Sequence, residues 1–133
     1  MRTLTGALLL AFSCVAVLPA HHSTAMFDMA HPITLTGTVA VFAWANPHSY
    51  LRIDVKSDAG EIERWEVETH AISLLTRKGW TRTSFKAGDV VTVTGGKLRD
   101  GGKTMRLLRG TRASDNWQFF GDDFSTTAKP GGR

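Results

Sequence analysis

From Ile33 the chain alternates apolar and polar side chains with a period of two until Asn46-Pro47 stops it, and no other stretch constrains the fold as strongly. Ile33, Leu35, Val39 and Val41 fall on one face and Thr34, Thr36, Thr38 and Phe42 on the other, the pattern of a strand with one side buried. Gly37 interrupts the buried face. A glycine inside a strand marks a bulge or a sharp bend, the device by which a small sheet curls toward closure. Proline cannot donate to a ladder and Asn-Pro opens turns, so the strand ends there and His48 is displayed at a rim beside Trp44 and Asn46.

The following segments supply partners for that strand. Leu51, Ile53 and Val55 alternate with Arg52, Asp54 and Lys56, and Ser57-Asp58-Ala59-Gly60 is a turn of hairpin length. A third strand over 61–68 places Trp65 and Val67 on one face, which makes an antiparallel meander. Thr69 is positioned to cap a short helix over 70–78, with Ile72, Leu74 and Leu75 toward the core, Arg77 and Lys78 at its negative end, and Gly79 to terminate it. Lys86-Ala87-Gly88-Asp89 turns the chain into a fourth strand over 90–94. Gly95-Gly96 through Gly101-Gly102 reads as a flexible connection to a fifth over 104–111, whose inner face carries Met105 and Leu107. Trp117, Phe119, Phe120 and Phe124 are expected to fold back over apolar surface. The predicted core is Leu35, Val39, Val41, Leu51, Ile53, Val55, Trp65, Val67, Leu75, Val91, Val93 and Leu107. Three strands, a helix and two strands is the element order of an OB fold, so the fold class is all-β with one short helix, a small five-stranded OB-like barrel.

The chain ends are read differently. Arg2, the apolar run 8–18 and Pro19-Ala20 have the layout of a secretory signal peptide over 1–20, and the run is too short to span a bilayer. Cys14, the only cysteine, lies inside it, so no disulfide is expected in the 113 residues that remain of 133. An extended arm over 21–32, a barrel domain over 33–124 and a tail over 125–133 complete the layout. The net charge of +4 comes from scattered rather than clustered basic residues, which together with export argues against a nucleic-acid partner.

His21-His22-Ser23, Phe27-Asp28, Gly37-Thr38-Val39, Trp44 with Asn46-Pro47-His48-Ser49, Gly79-Trp80 and Lys86-Ala87-Gly88-Asp89 together resemble a family of small exported bacterial proteins, the domain of unknown function DUF6152. The resemblance spans nearly all of the chain beyond residue 20 and implies a small β-barrel in a Gram-negative periplasm, with no activity attached. A looser resemblance is to periplasmic copper-carrying OB barrels, which hold Cu(I) with a histidine, two methionines and a nearby tryptophan. This sequence departs from that pattern because Met26 and Met29 lie in the arm rather than on a barrel strand.

Cleavage after Ala20 would make His21 the first residue, with an α-amine and an imidazole available to one metal ion. Nitrogen donors suit Cu(II), and Met26 offers a thioether to Cu(I). His22, His48, His31 or His70 would supply a further nitrogen. The plainer alternative is that His21 and His22 are a solvated chain end. A closed zinc site is not expected without cysteines or paired histidine spacing. Trp44, Asn46 and Tyr50 suggest a stacking surface for a ring-shaped ligand, set against packing at the core edge. In the metal-free alternative this rim contacts a protein partner or an envelope component. Glu63, Glu66 and Glu68 could suggest acid–base pairs, but Glu66 and Glu68 share a face with Arg64 and read as a solvated strand face. No catalytic constellation, phosphate loop or cofactor fingerprint is present, so a binding protein rather than an enzyme is expected.

Overall fold

The computed structural model describes residues 24–121, so His21, His22 and Phe124, and the expected signal and tail segments, lie outside the described residues. A single 3-10 turn at Thr24–Met26 precedes β1 (Ile33–Ala43), β2 (Tyr50–Lys56), β3 (Ile62–Glu68), α1 (Ile72–Arg77), β4 (Val90–Lys97), β5 (Thr104–Arg112) and β6 (Trp117–Phe120). The first three strands form the antiparallel meander, and β1 also pairs with β4 through its first half. A short parallel pairing of Glu66–Glu68 with Thr104–Arg106 closes the barrel in the order β1-β2-β3-β5-β4. This is the expected mostly-β, OB-like barrel with one α-helix. The sixth strand is an addition: where β3 leaves the edge of β5, β6 takes its place along Arg109–Arg112.

The bend in β1 lies elsewhere than expected. Gly37 stays in register with Val55 and Val91, and a Cβ there would lie 2.8 Å from the Asp54 carbonyl oxygen, so glycine permits a close strand approach. The register shifts between Val39 and Val41 instead. One extra residue reverses the phase of a period-two strand. Val41, expected in the core, is therefore 41 % exposed, while Phe42 packs against the core from the face assigned to solvent, with Trp44 packed there beside it.

Two other expectations are corrected. Gly95 and Gly96 belong to β4 rather than to a flexible link: a Cβ on Gly95 would lie 2.1 Å from the Arg106 carbonyl oxygen, and one on Gly96 would meet Met29 Sδ at 2.6 Å. Thr69 does not cap the helix. Its hydroxyl donates to the Ser49 carbonyl oxygen at 2.7 Å, and α1 begins later, at Ile72, behind Ala71. Gly79 does adopt φ 83° just beyond the helix, as its position required.

Val39, Leu51, Ile53, Val55, Val67, Leu75, Val91, Val93 and Leu107 are buried as expected, with Leu35 and Trp65 packed against them. Aromatic side chains complete the core. Trp80 lies against Phe85, Trp117 and Phe119 at centroid distances of 5.2, 5.7 and 5.5 Å, so β6 brings the C-terminal aromatics onto the helix-to-β4 connection. Burial of each such ring contributes about 1.5–3 kcal/mol. That is why an extra strand is retained on the barrel.

Candidate functional site

The rim turn between β1 and β2 is stapled to the segment that enters α1. Ser49 N donates to the His70 carbonyl oxygen at 2.9 Å, and Thr69 N returns to the Ser49 carbonyl oxygen at 2.8 Å. The Ser49 hydroxyl accepts from Ala45 N and donates to the Ala45 carbonyl oxygen, each at 3.1 Å. Asn46-Pro47 is cis. With both ends of the turn held, His48 has a fixed base.

His48 leads into a chain of charged groups. Its side chain is 30 % exposed, and Nδ1 lies 3.3 Å from Glu68 Oε1. That same oxygen accepts from Arg106 at 2.8 Å. Arg106 is only 6 % exposed along its side chain, and it donates further to the Thr69 carbonyl oxygen at 2.7 Å and to His70 Nδ1 at 2.9 Å. A guanidinium has no acceptor, so His70 Nδ1 carries a lone pair and its proton sits on Nε2. Burying the guanidinium costs several kcal/mol, which a carboxylate and two further acceptors offset. Glu68, 15 % exposed, is thus not part of a solvated face, contrary to the sequence reading; it turns toward Arg106 and His48 while Glu66 remains outside on Arg52.

The arm reaches the same place. Phe27 is buried and bridges Leu98, Asp28 N donates to the Lys97 carbonyl oxygen at 2.8 Å, and Arg99 N donates to the Met26 carbonyl oxygen at 3.0 Å. These bonds set Met26 on a cavity of about 150 Å³ lined also by Phe27, Glu66, Glu68, Leu98 and Thr104. Glu68 therefore borders Met26 on one side and His48 on the other. His31 lies apart, exposed, with Nδ1 3.1 Å from Asp28 Oδ2; that hydrogen bond, opposed by partial desolvation and aided by the charges of His31 and Arg99, holds the Asp28 carboxyl below its usual range. Among the described residues no group of three or more histidine, cysteine or acidic side chains is placed to hold a metal.

The three rim residues have intramolecular partners. Trp44 makes an edge contact with Phe42 at 5.7 Å, Asn46 Oδ1 accepts from Ile72 N at 3.1 Å, and the Tyr50 ring lies 4.8 Å under the Arg52 guanidinium. Around Tyr50 the outer face of β2 and β3 neutralises itself through Arg52 with Glu66 and Arg64 with Asp54. Sequence reasoning missed Arg106 and the role of Glu68. Arg106 stands between the inner residues Met105 and Leu107, where alternation sends a side chain outward, and only the parallel contact with β3 brings Glu68 to it.

Among the described residues no helix is long and apolar enough to cross a membrane. The family of unknown function DUF6152 matches residues 8–107. No curated protein matches the chain. Among solved structures, the mitochondrial single-stranded DNA-binding protein Rim1 of S. cerevisiae is similar at 8% identity and a TM-score of 0.48, covering 62% of this chain and 93% of its own.

Proposed function

This chain belongs to the DUF6152 family, and we propose that it is an exported periplasmic binding protein that takes up a copper ion through His21, His22 and His48, with Met26 serving Cu(I). The observation that carries this reading is the anchoring of Met26 on the cavity bordered by Glu68, which in turn touches His48. Only Ser23, Thr24 and Ala25 separate His22 from that anchor. Extended residues span about 3.3 Å each, so His22 starts within roughly 13 Å of Met26. A tether this short costs less closure entropy than one running back to Ile33 would. His21 would chelate through its amine and imidazole, and nitrogen donors favour Cu(II) over the other first-row divalent ions.

The metal-free alternative, a partner docked on the rim of Trp44, Asn46 and Tyr50, has less support because each of those side chains already has an intramolecular contact. The paired charges of the β2–β3 face also give a nucleic acid little unmatched positive charge to meet. The test of the copper reading begins with processing. The intact mass of the exported protein should correspond to a first residue of His21, whereas cleavage after Ala25 would begin the chain at Met26 and remove the chelating terminus.

A further inference from the structure

We propose that the outer face of β1, β4, β5 and β6 holds a site for a carboxylated monosaccharide such as a hexuronate, with the Arg109 guanidinium on the carboxylate and a field of hydroxyls on the ring. The strand registers build it. Thr36, Thr92, Thr111 and Gln118 stand opposite one another across the four strands, and Thr34, Thr94, Arg109 and Phe120 form the next row. Within β5 this needs a change of phase, because Leu107 is buried and strict alternation would put Arg109 on the same inner face. The register shift between Thr94 and Gly95 inserts Leu108 as an extra residue, and Arg109 is exposed. The result is a cleft of about 270 Å³ lined by Thr92, Thr94, Arg109, Thr111, Gln118 and Phe120.

Its polar groups are open to a ligand. Thr34 Oγ1 lies 2.9 Å from Thr94 Oγ1, and Thr36 Oγ1 2.9 Å from Thr92 Oγ1, so each pair uses one hydroxyl proton and keeps the other, with lone pairs on both oxygens. The side chains of Arg109, Thr111 and Gln118 have no partner among the described residues, whereas Arg52, Arg64 and Arg112 each hold a carboxylate. Neither row contains an acidic residue. An arginine fork in a cleft free of negative charge matches a carboxylate at two points. Hydroxyls and an amide that both donate and accept match the ring hydroxyls of a sugar, which do the same. The cleft is smaller than the roughly 300 Å³ at which pockets for drug-sized ligands begin, so it takes one ring rather than a chain. It shares no residue with the copper reading and does not depend on it.

Titration of the metal-free protein with glucuronate, followed by amide NMR, tests the site, with glucose and acetate as probes that carry only the ring or only the carboxylate. Glucuronate should shift the amides of Thr92, Thr94, Arg109, Gly110, Thr111 and Gln118 saturably. It should bind about tenfold or more tightly than either probe, the difference that one charge-assisted hydrogen bond makes. Arg109→Gln, at an exposed position, should bring glucuronate down to the level of glucose. Thr111→Val, which keeps the branched shape and loses the hydroxyl, should weaken glucuronate about two- to tenfold and leave acetate unchanged. Acetate binding as tightly as glucuronate would reduce the cleft to a simple anion site and overturn the inference. Glucose binding as tightly would overturn it as well, because Arg109 would then have no role. So would glucuronate that moves no amide in these rows, a result read on the wild type without any variant having to fold.

Discussion

Ile72 donates its backbone N–H to Asn46 Oδ1 at 3.1 Å across 26 positions of sequence, so the turn after β1 supplies the cap of a helix that has no side-chain cap from its own N-cap residue. A helix of six residues depends on such a contact, because its first amides have no partner within it. Asn46→Ala should lower stability by about 1 kcal/mol. The check is the urea midpoint at unchanged slope; an unmoved midpoint would show that the bond contributes nothing.

Gly95 faces the Arg106 carbonyl oxygen where a Cβ would lie 2.1 Å away, a clash with backbone that cannot swing aside. Gly95→Ala should cost about 1–3 kcal/mol through a forced backbone shift, the usual penalty of overpacking. Because Glu68 reaches Arg106 through the neighbouring β3–β5 pairing, the substitution should also disturb the His48 and His70 NMR signals. Thermal melts with amide spectra would reveal either effect.

Acid should act at the end of β5. Asp115 takes a two-point hydrogen bond from Arg112, which outweighs partial desolvation and, with the Trp117 amide and the Arg112 charge, lowers its pKa from 3.8 to about 2. Since the folded value is depressed, its contribution to stability is present above the unfolded value of 3.8 and is lost as pH falls through about 2. Asp89 adds in the same sense. Burial raises its pKa, but hydrogen bonds from the Lys86 side chain and amide and the charges of Lys86 and Arg112 bring the net value down. Asp115→Asn should therefore flatten the acid limb of a stability–pH profile while leaving the slope near neutrality unchanged.

Much of the barrel was legible because β2 alternates along its whole length, Trp65 and Val67 alternate with Arg64, Glu66 and Glu68 in β3, and Gly79 sits where a helix must end. The failures have specific causes. A bulge at Ala40 leaves no mark in a run of small and apolar residues, so alternation alone puts Val41 and Phe42 on each other's faces. Paired glycines look like a hinge, yet Gly95 and Gly96 are there because Arg106 and the arm crowd β4. At the candidate site, His48 and Met26 could be singled out by chemistry. Their connection through Glu68 depends on a parallel pairing between strands 38 residues apart at Glu68 and Arg106, which no local pattern reports.

Titration of the protein that begins at His21 with Cu(II), and with Cu(I) under reducing conditions, decides between a copper-binding and a metal-free barrel. A copper-binding protein should take up a single copper ion per chain, saturably, near neutral pH. Uptake should weaken on acidification, because the imidazoles must be neutral and the α-amine must shed its proton to coordinate. His21→Ala should weaken it most and His48→Ala next. Binding no tighter than that of a free His-His peptide, with His48→Ala indistinguishable from the wild type, would contradict it.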